Sequence, residues 1–282
     1  MLKGAVHYLK KSLLFFDIKS RNIPMLTFLL LLAVNSVLSL YQEDVGSSLE
    51  SSARVITTVI CCSFASEIIS LIYMVGAAKS IRGEETKGSA CVHDVISRLL
   101  SLLGTMTIKW LIVIAGFMLS VTPLFFYMRD SFAVVYSGYS EGVSISGLML
   151  FLFAALFIFM ILAFIIHTLF YFVEAALLLE PGTSVLQSFR ANNRIMKGRR
   201  AKVFLISIYC GLAVNGFGFI FISLFSGFSP IVVLYIIIFV SSLIALINMK
   251  RLAHMYTDIV GSIGDESEDQ EPGTSDQENS TS

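Results

Sequence analysis

EPGTSVLQSFRANNRIMKGRRAK, residues 180–202, decides how the rest of this chain is read. It carries six basic residues, Arg190, Arg194, Lys197, Arg199, Arg200 and Lys202. One apolar run ends at Leu179 and the next begins at Val203. A basic block held between two such runs stays on the cytoplasmic side of a bilayer. The side of every other segment then follows by counting crossings.

Composition agrees with a membrane class. The chain has 282 residues, 56% hydrophobic and 14% charged, with mean hydropathy +0.81. A soluble domain carries about 25% charged residues, so this chain lacks the polar surface needed to cover a globule in water. The net charge of zero conceals charges that are segregated along the chain. Cys61, Cys62, Cys91 and Cys210 show no CxxC spacing, which suggests neither a disulfide framework nor a zinc site.

The stretch itself reads as a cytoplasmic helix. Pro181-Gly182 makes a turn, Ser184-x-x-Gln187 is a capping box, and Gly198 is a helix stop. Gln187, Arg190, Arg194 and Lys197 line one helical stripe. Val185, Leu186, Phe189 and Met196 line the other, interrupted by Asn192 and Asn193. Arg190, Arg194, Lys197, Arg199 and Arg200 are the expected contacts for anionic lipid headgroups, each worth about 1 kcal/mol near an anionic surface. Flanking spans argue for this role over nucleic-acid binding.

Working outward, the expected fold is all-α and integral to the membrane: six transmembrane helices with short amphipathic cytoplasmic helices. The spans are expected at about 23–40, 54–77, 105–127, 146–166, 203–225 and 231–249 within a membrane domain of 23–261. Each is close to the roughly 20 residues a crossing needs. Residues 1–22 read as a basic amphipathic segment, with Leu2, Val6, Leu9, Leu13 and Phe16 on one face. Such a helix suits a membrane surface or ordinary packing against a neighbour. Its long leader and long apolar run argue against a cleaved signal peptide. A second amphipathic helix is expected from Ser89 to Leu103, and a helical extension carrying His167, Tyr171 and Glu174 near the cytoplasmic interface, with His167 and Glu174 solvated. Residues 262–282 hold seven acidic residues and no Lys or Arg, which reads as a disordered cytoplasmic tail.

Charge fixes the orientation. Eighteen of the twenty Lys and Arg residues fall in the N-terminus, the 78–109 and 180–202 connections and the C-terminal flank; Arg54 and Arg129 are the exceptions. Both termini are therefore expected in the cytoplasm, with the protein in the plasma (inner) membrane. Small residues mark close helix contacts at Gly116-x-x-x-Ser120 and at Ser207, Gly211 and Gly218. A same-direction repeat is also suggested, laying Lys109-Trp110-Leu111-Ile112 over Lys202-Val203-Phe204-Leu205.

Chemistry is sparse. No HExxH, GxxxxGK[ST] or GxSxG motif occurs, and no catalytic residue, cofactor or metal site is assigned. Glu67 is the chief polar signal, because a carboxylate at membrane depth costs about 2.5–3.5 kcal/mol on insertion scales. It shares a helical stripe with Ser63, Ser66 and Ser70. Glu67 is expected to face other helices, bonding Ser63 or Ser70 or meeting His167. That makes it either a packing hydrogen bond or a proton or ligand site.

The run SVLQSFRANNRIMKGRRAKVFLISI resembles poorly characterised six-span bacterial membrane proteins, among them the membrane domain attached to some glycerophosphodiester phosphodiesterases. Ser188, Met196, Lys197, Gly198 and Phe204 carry the resemblance. It implies a membrane fold with a Ser-bearing cytoplasmic helix ending in a Lys-Gly turn. It does not imply the phosphodiester activity.

Two function classes follow. One is a non-catalytic multi-pass membrane protein that supports the envelope, lipid organisation or a partner complex. The other is a transporter or permease subunit working with a separate energising partner such as an ATPase. The short helices between spans two and three, and between four and five, resemble the coupling helices of ATP-driven transporters.

Overall fold

A computed structural model describes residues 4–18, 22–43, 49–85, 87–136, 157–162, 164–166 and 169–268. Among them no strand occurs. The helices are α1 (Ala5–Leu13), α2 (Asn22–Glu43), α3 (Leu49–Ile81), α4 (Gly88–Ile96) and α5 (Leu99–Tyr136). They are followed by α6 (Phe157–Ile166), α7 (Val173–Leu179), α8 (Val185–Met196), α9 (Arg200–Leu224) and α10 (Pro230–Glu268).

Among the described residues, five helices are long and apolar enough to cross a membrane: Asn22–Ser39, Thr57–Ile81, Leu99–Gly116, Arg200–Leu224 and Pro230–Ile263. The expected count was six. Of the stretch at 146–166, residues 146–156 lie outside the described residues, and α6 alone is too short to cross. Much of the described exterior is apolar. Leu111, Leu119, Leu212, Phe217, Phe219, Leu224 and Ile231 are all exposed. A water-facing surface avoids continuous apolar patches of this kind, whereas a lipid-facing one requires them.

The chain divides into two compact units. One combines Met1–Ser97 with Leu205–Ser282, and the other is Arg98–Phe204. One unit is thus inserted in the sequence of the other, which differs from the tandem halves a same-direction repeat would give.

In the first unit α2, α3 and α10 pack on one another, α1 lies on α10, and α4 on α3. Its core is Leu31, Leu71, Tyr73, Met74, Val75, Ala77 and Ala78 with Leu246, Ala253, Met255, Tyr256 and Ile259. Two glycines set the helix spacing. A Cβ on Gly76 would lie 2.9 Å from Ile23 Cδ1, and one on Gly218 would lie 2.8 Å from Ile244 Cδ1. Gly218 therefore does mark a close contact, while a Cβ on Gly211 would meet nothing within 4 Å. Between α2 and α10, Asn35 Nδ2 donates to Ser242 Oγ at 3.0 Å, the interhelical polar pairing that apolar surroundings favour.

The amphipathic reading of α1 is altered in an informative way. The buried side chains are Tyr8 and Ser12, and Tyr8 donates to Asp258 Oδ2 at 3.2 Å. The apolar residues Val6, Leu13, Leu14 and Phe16 are exposed. The polar-edged side faces α10, and the greasy side is left for the surroundings.

The helix expected over Ser89–Leu103 is two helices. α4 stops at Ile96, and Leu99 already begins α5. Ser97 Oγ bonds back to Asp94 O at 3.1 Å, a local bond that competes with helix continuation. At the other end, α10 runs through residues 262–268, the first part of the expected disordered tail; 269–282 lie outside the described residues. Its 39 residues amount to about 58 Å of helix at 1.5 Å per residue. That is about twice the hydrocarbon thickness of a bilayer.

Candidate functional site: the basic helix and its supports

The site lies in the Arg98–Phe204 unit and is built on α8. Ser184 and Gln187 form the expected capping box: the Ser184 side chain accepts from Gln187 N–H, and the Gln187 side chain accepts from Ser184 N–H at 2.8 Å. Lys197 ends the helix and Gly198 follows at φ 71°, a left-handed turn that glycine makes without strain.

α8 is two-faced. Ser188, Ala191, Asn192, Ile195 and Met196 are buried. Arg190, Arg194, Lys197 and Arg200 are exposed, and Arg199 is half-buried. Met196 thus turns inward as expected. Phe189 is half-buried and packs edge-on against Phe170, ring centroids 5.3 Å apart. Leu186 departs from the apolar stripe and is exposed.

In the sequence pattern Asn192 interrupts the buried face; in the structure it is a clasp. Its Oδ1 accepts from Phe172 N–H at 3.0 Å, and its Nδ2 donates to Leu169 O at 2.8 Å. These are backbone groups just before α7, where helix termini leave main-chain donors and acceptors open. One side-chain amide carries both functions and so satisfies both groups. Asn193, by contrast, is exposed and accepts from Arg200.

The same economy holds at the far end of α7, where the Arg98 guanidinium donates to Leu177 O and Glu180 O. A cation at a helix C-terminus meets the negative end of the helix dipole. Every residue of α7 is buried, Glu174 included. Glu174 Oε1 lies 2.9 Å from Lys109 Nζ. The expectation that Glu174 is solvated is therefore corrected. Burying a carboxylate demands a partner, and Lys109, within α5, supplies it.

A cavity of about 430 Å³ opens beside α8, lined by Glu180, Pro181, Gly182, Thr183, Gln187, Arg190, Ala191 and Arg194. Arg194 Nη2 is 3.9 Å from Glu180 Oε1, with the arginine side chain 68% exposed. So loose and exposed a pair contributes little and leaves the guanidinium available to an outside anion.

The second group of expected residues is in the other unit, on α3. Ser70 is buried, and Ser63 and Glu67 are half-buried. His167, the partner proposed for Glu67, lies outside the described residues. No group of three or more His, Cys, Asp or Glu able to hold a metal occurs among the described residues.

The Lys109–Glu174 pair and the Asn192 clasp were not found from the sequence. A helical-period argument relates residues three, four or seven apart, and these partners are 65 and 20–23 residues apart. The one available signal was a lysine inside an apolar run and a glutamate inside another.

No family model, no curated protein and no solved structure matches this chain.

Proposed function

We propose that this chain is a non-catalytic, six-span protein of the plasma (inner) membrane, with both termini cytoplasmic. Its basic helix holds anionic lipid headgroups and so supports lipid organisation or a partner complex in the envelope. One observation carries the reading: α8 buries one side, including both functions of Asn192, and turns Arg190 and Arg194 outward, with exposed Lys197 at its C-cap and exposed Arg200 at the start of α9. The row of cations is fixed on a rigid element, which lowers the entropy lost on binding. The segregation of eighteen of twenty basic residues supports the orientation. The Ser-bearing helix closing in a Lys-Gly turn fits the resemblance to the phosphodiesterase-associated membrane domain.

The test is photo-crosslinking of the full chain to phosphatidylglycerol in nanodiscs. Arg194→Glu with Lys197→Glu should reduce lipid capture severalfold while the spans stay inserted. Undiminished capture would refute the headgroup role.

A transporter or permease subunit is the second reading. It is favoured by the two short helices α4 and α8, which stand in the connections where an energising ATPase would dock. Crosslinking and pull-down from native membranes separates the two readings, since a co-purifying ATPase would support transport.

A further inference from the structure

A second cavity, of about 470 Å³, lies wholly within the other unit. It is lined by Lys11, Leu14, Asp17, Ile18, Ala77, Ser80, Ile81, Lys250 and His254. Its walls come from four parts of the chain: α1, the non-helical strap 14–18, the end of α3, and α10. The strap is pinned. Tyr73 donates to Phe15 O at 2.7 Å, and Lys250 donates to Leu14 O and to Asp17 O.

Lys250 is 4% exposed. An ammonium has three donors, and the two carbonyls take two of them. Burying such a group is expensive unless its charge is answered, and carbonyls answer it with partial charges only. Two ammonium groups, Lys11 and Lys250, line the cavity with one carboxylate, Asp17. The wall keeps a positive surplus that one phosphodiester charge would balance, with Ser80 and His254 beside it as polar groups. The volume is within the range of small-molecule sites, about 300–1,000 Å³.

We infer that the cavity between the 14–18 strap and the ends of α3 and α10 is a binding site for a phosphate ester, gripped by Lys11 and Lys250. The ester is either a phospholipid headgroup or a water-borne phosphate compound. The site is separate from the basic face of α8 and does not depend on it.

The test uses the full chain carrying Arg190→Gln, Arg194→Gln, Lys197→Gln, Arg199→Gln and Arg200→Gln, so that none of the cations assigned to the basic face contributes. Binding of glycerol 3-phosphate is measured calorimetrically in lipid-free detergent. Retention of phosphatidylglycerol is measured by native mass spectrometry. Lys11→Ala is compared with Lys10→Ala, a neighbouring lysine that does not line the cavity; neither touches the carbonyl bonds of Lys250. Lys11→Ala should weaken binding about tenfold, the loss expected of one charge-assisted contact, and Lys10→Ala should leave it unchanged. Binding of glycerol 3-phosphate identifies a water-borne ester; retention of phosphatidylglycerol alone identifies a headgroup. Failure of both probes to bind, or equal effects of the two lysine variants, overturns the site.

Discussion

Lys109 Nζ and Glu174 Oε1 stand 2.9 Å apart across 65 residues of sequence, and the carboxylate is the more deeply buried partner, at 9% exposure against 29%. That asymmetry makes the two single mutants unequal. Lys109→Met leaves a buried carboxylate without its cation and should lower stability by about 3 kcal/mol. Glu174→Gln keeps a hydrogen-bonding group in place and should cost about 1 kcal/mol. Thermal midpoints in detergent, followed by size-exclusion fluorescence, read the difference. Equal shifts would show that the pair is not held as described.

Asn192 and Asn193 are adjacent and chemically identical, yet their fates should differ. Asn192→Ala orphans the Phe172 N–H and the Leu169 carbonyl and should cost about 2–3 kcal/mol. Asn193→Ala, on the exposed side, should fall within about 0.5 kcal/mol of wild type. The same midpoints check this, and a neutral Asn192→Ala would remove the clasp.

The capping box sets the start of the basic helix. Ser184→Ala should destabilise by about 1 kcal/mol, and Ser184→Gly by only a few tenths. Amide hydrogen exchange at residues 185–188 should quicken in the alanine variant ahead of the rest of α8.

Cys91 is fully buried in α4, and desolvation pushes its thiol above the usual range, against a smaller opposing effect of Lys79. A raised thiol pKa means less thiolate at neutral pH. Soluble maleimide at pH 7 should therefore label Cys91 slowly in the folded protein and quickly after unfolding. The folded-state rate should climb as pH rises through and beyond 9. Rapid labelling at pH 7 would place α4 away from α3.

Reporter fusions test the threading. Fusions after Ser48, Ser137 and Gly227 should read outside, and those after Thr86, Met196 and Ser262 inside. An outside signal at Met196 would overturn the proposed orientation, because the greatest charge weight lies there.

Helices and their ends were largely legible from the sequence because the information is local. Asn22 opens α2, Ser184 and Gln187 cap α8, and Gly198 ends it, each through contacts within a few residues. The side on which a helix packs was less legible. On α1 the apolar Val6 and Leu13, with Phe16 just beyond its end, are exposed while Tyr8 and Ser12 are buried, so apolar character alone does not mark the packed side. The candidate site was half visible. Its cations show as a stripe with helical period, whereas Glu174, Asn192 and Lys250 are answered by groups tens to hundreds of residues away. No local pattern encodes such distances.

The fastening of the N-terminus has a consequence for biogenesis. Tyr8 is tied to Asp258, 250 residues later, and the strap at Leu14 to Lys250, 236 residues later. A ribosome adding about 5–20 residues per second needs about 12–50 s to cover that interval. Throughout that time α1 has no α10 to rest on. α1 is made long before it can be seated, and a nascent chain stalled before Lys250 should leave α1 open to protease.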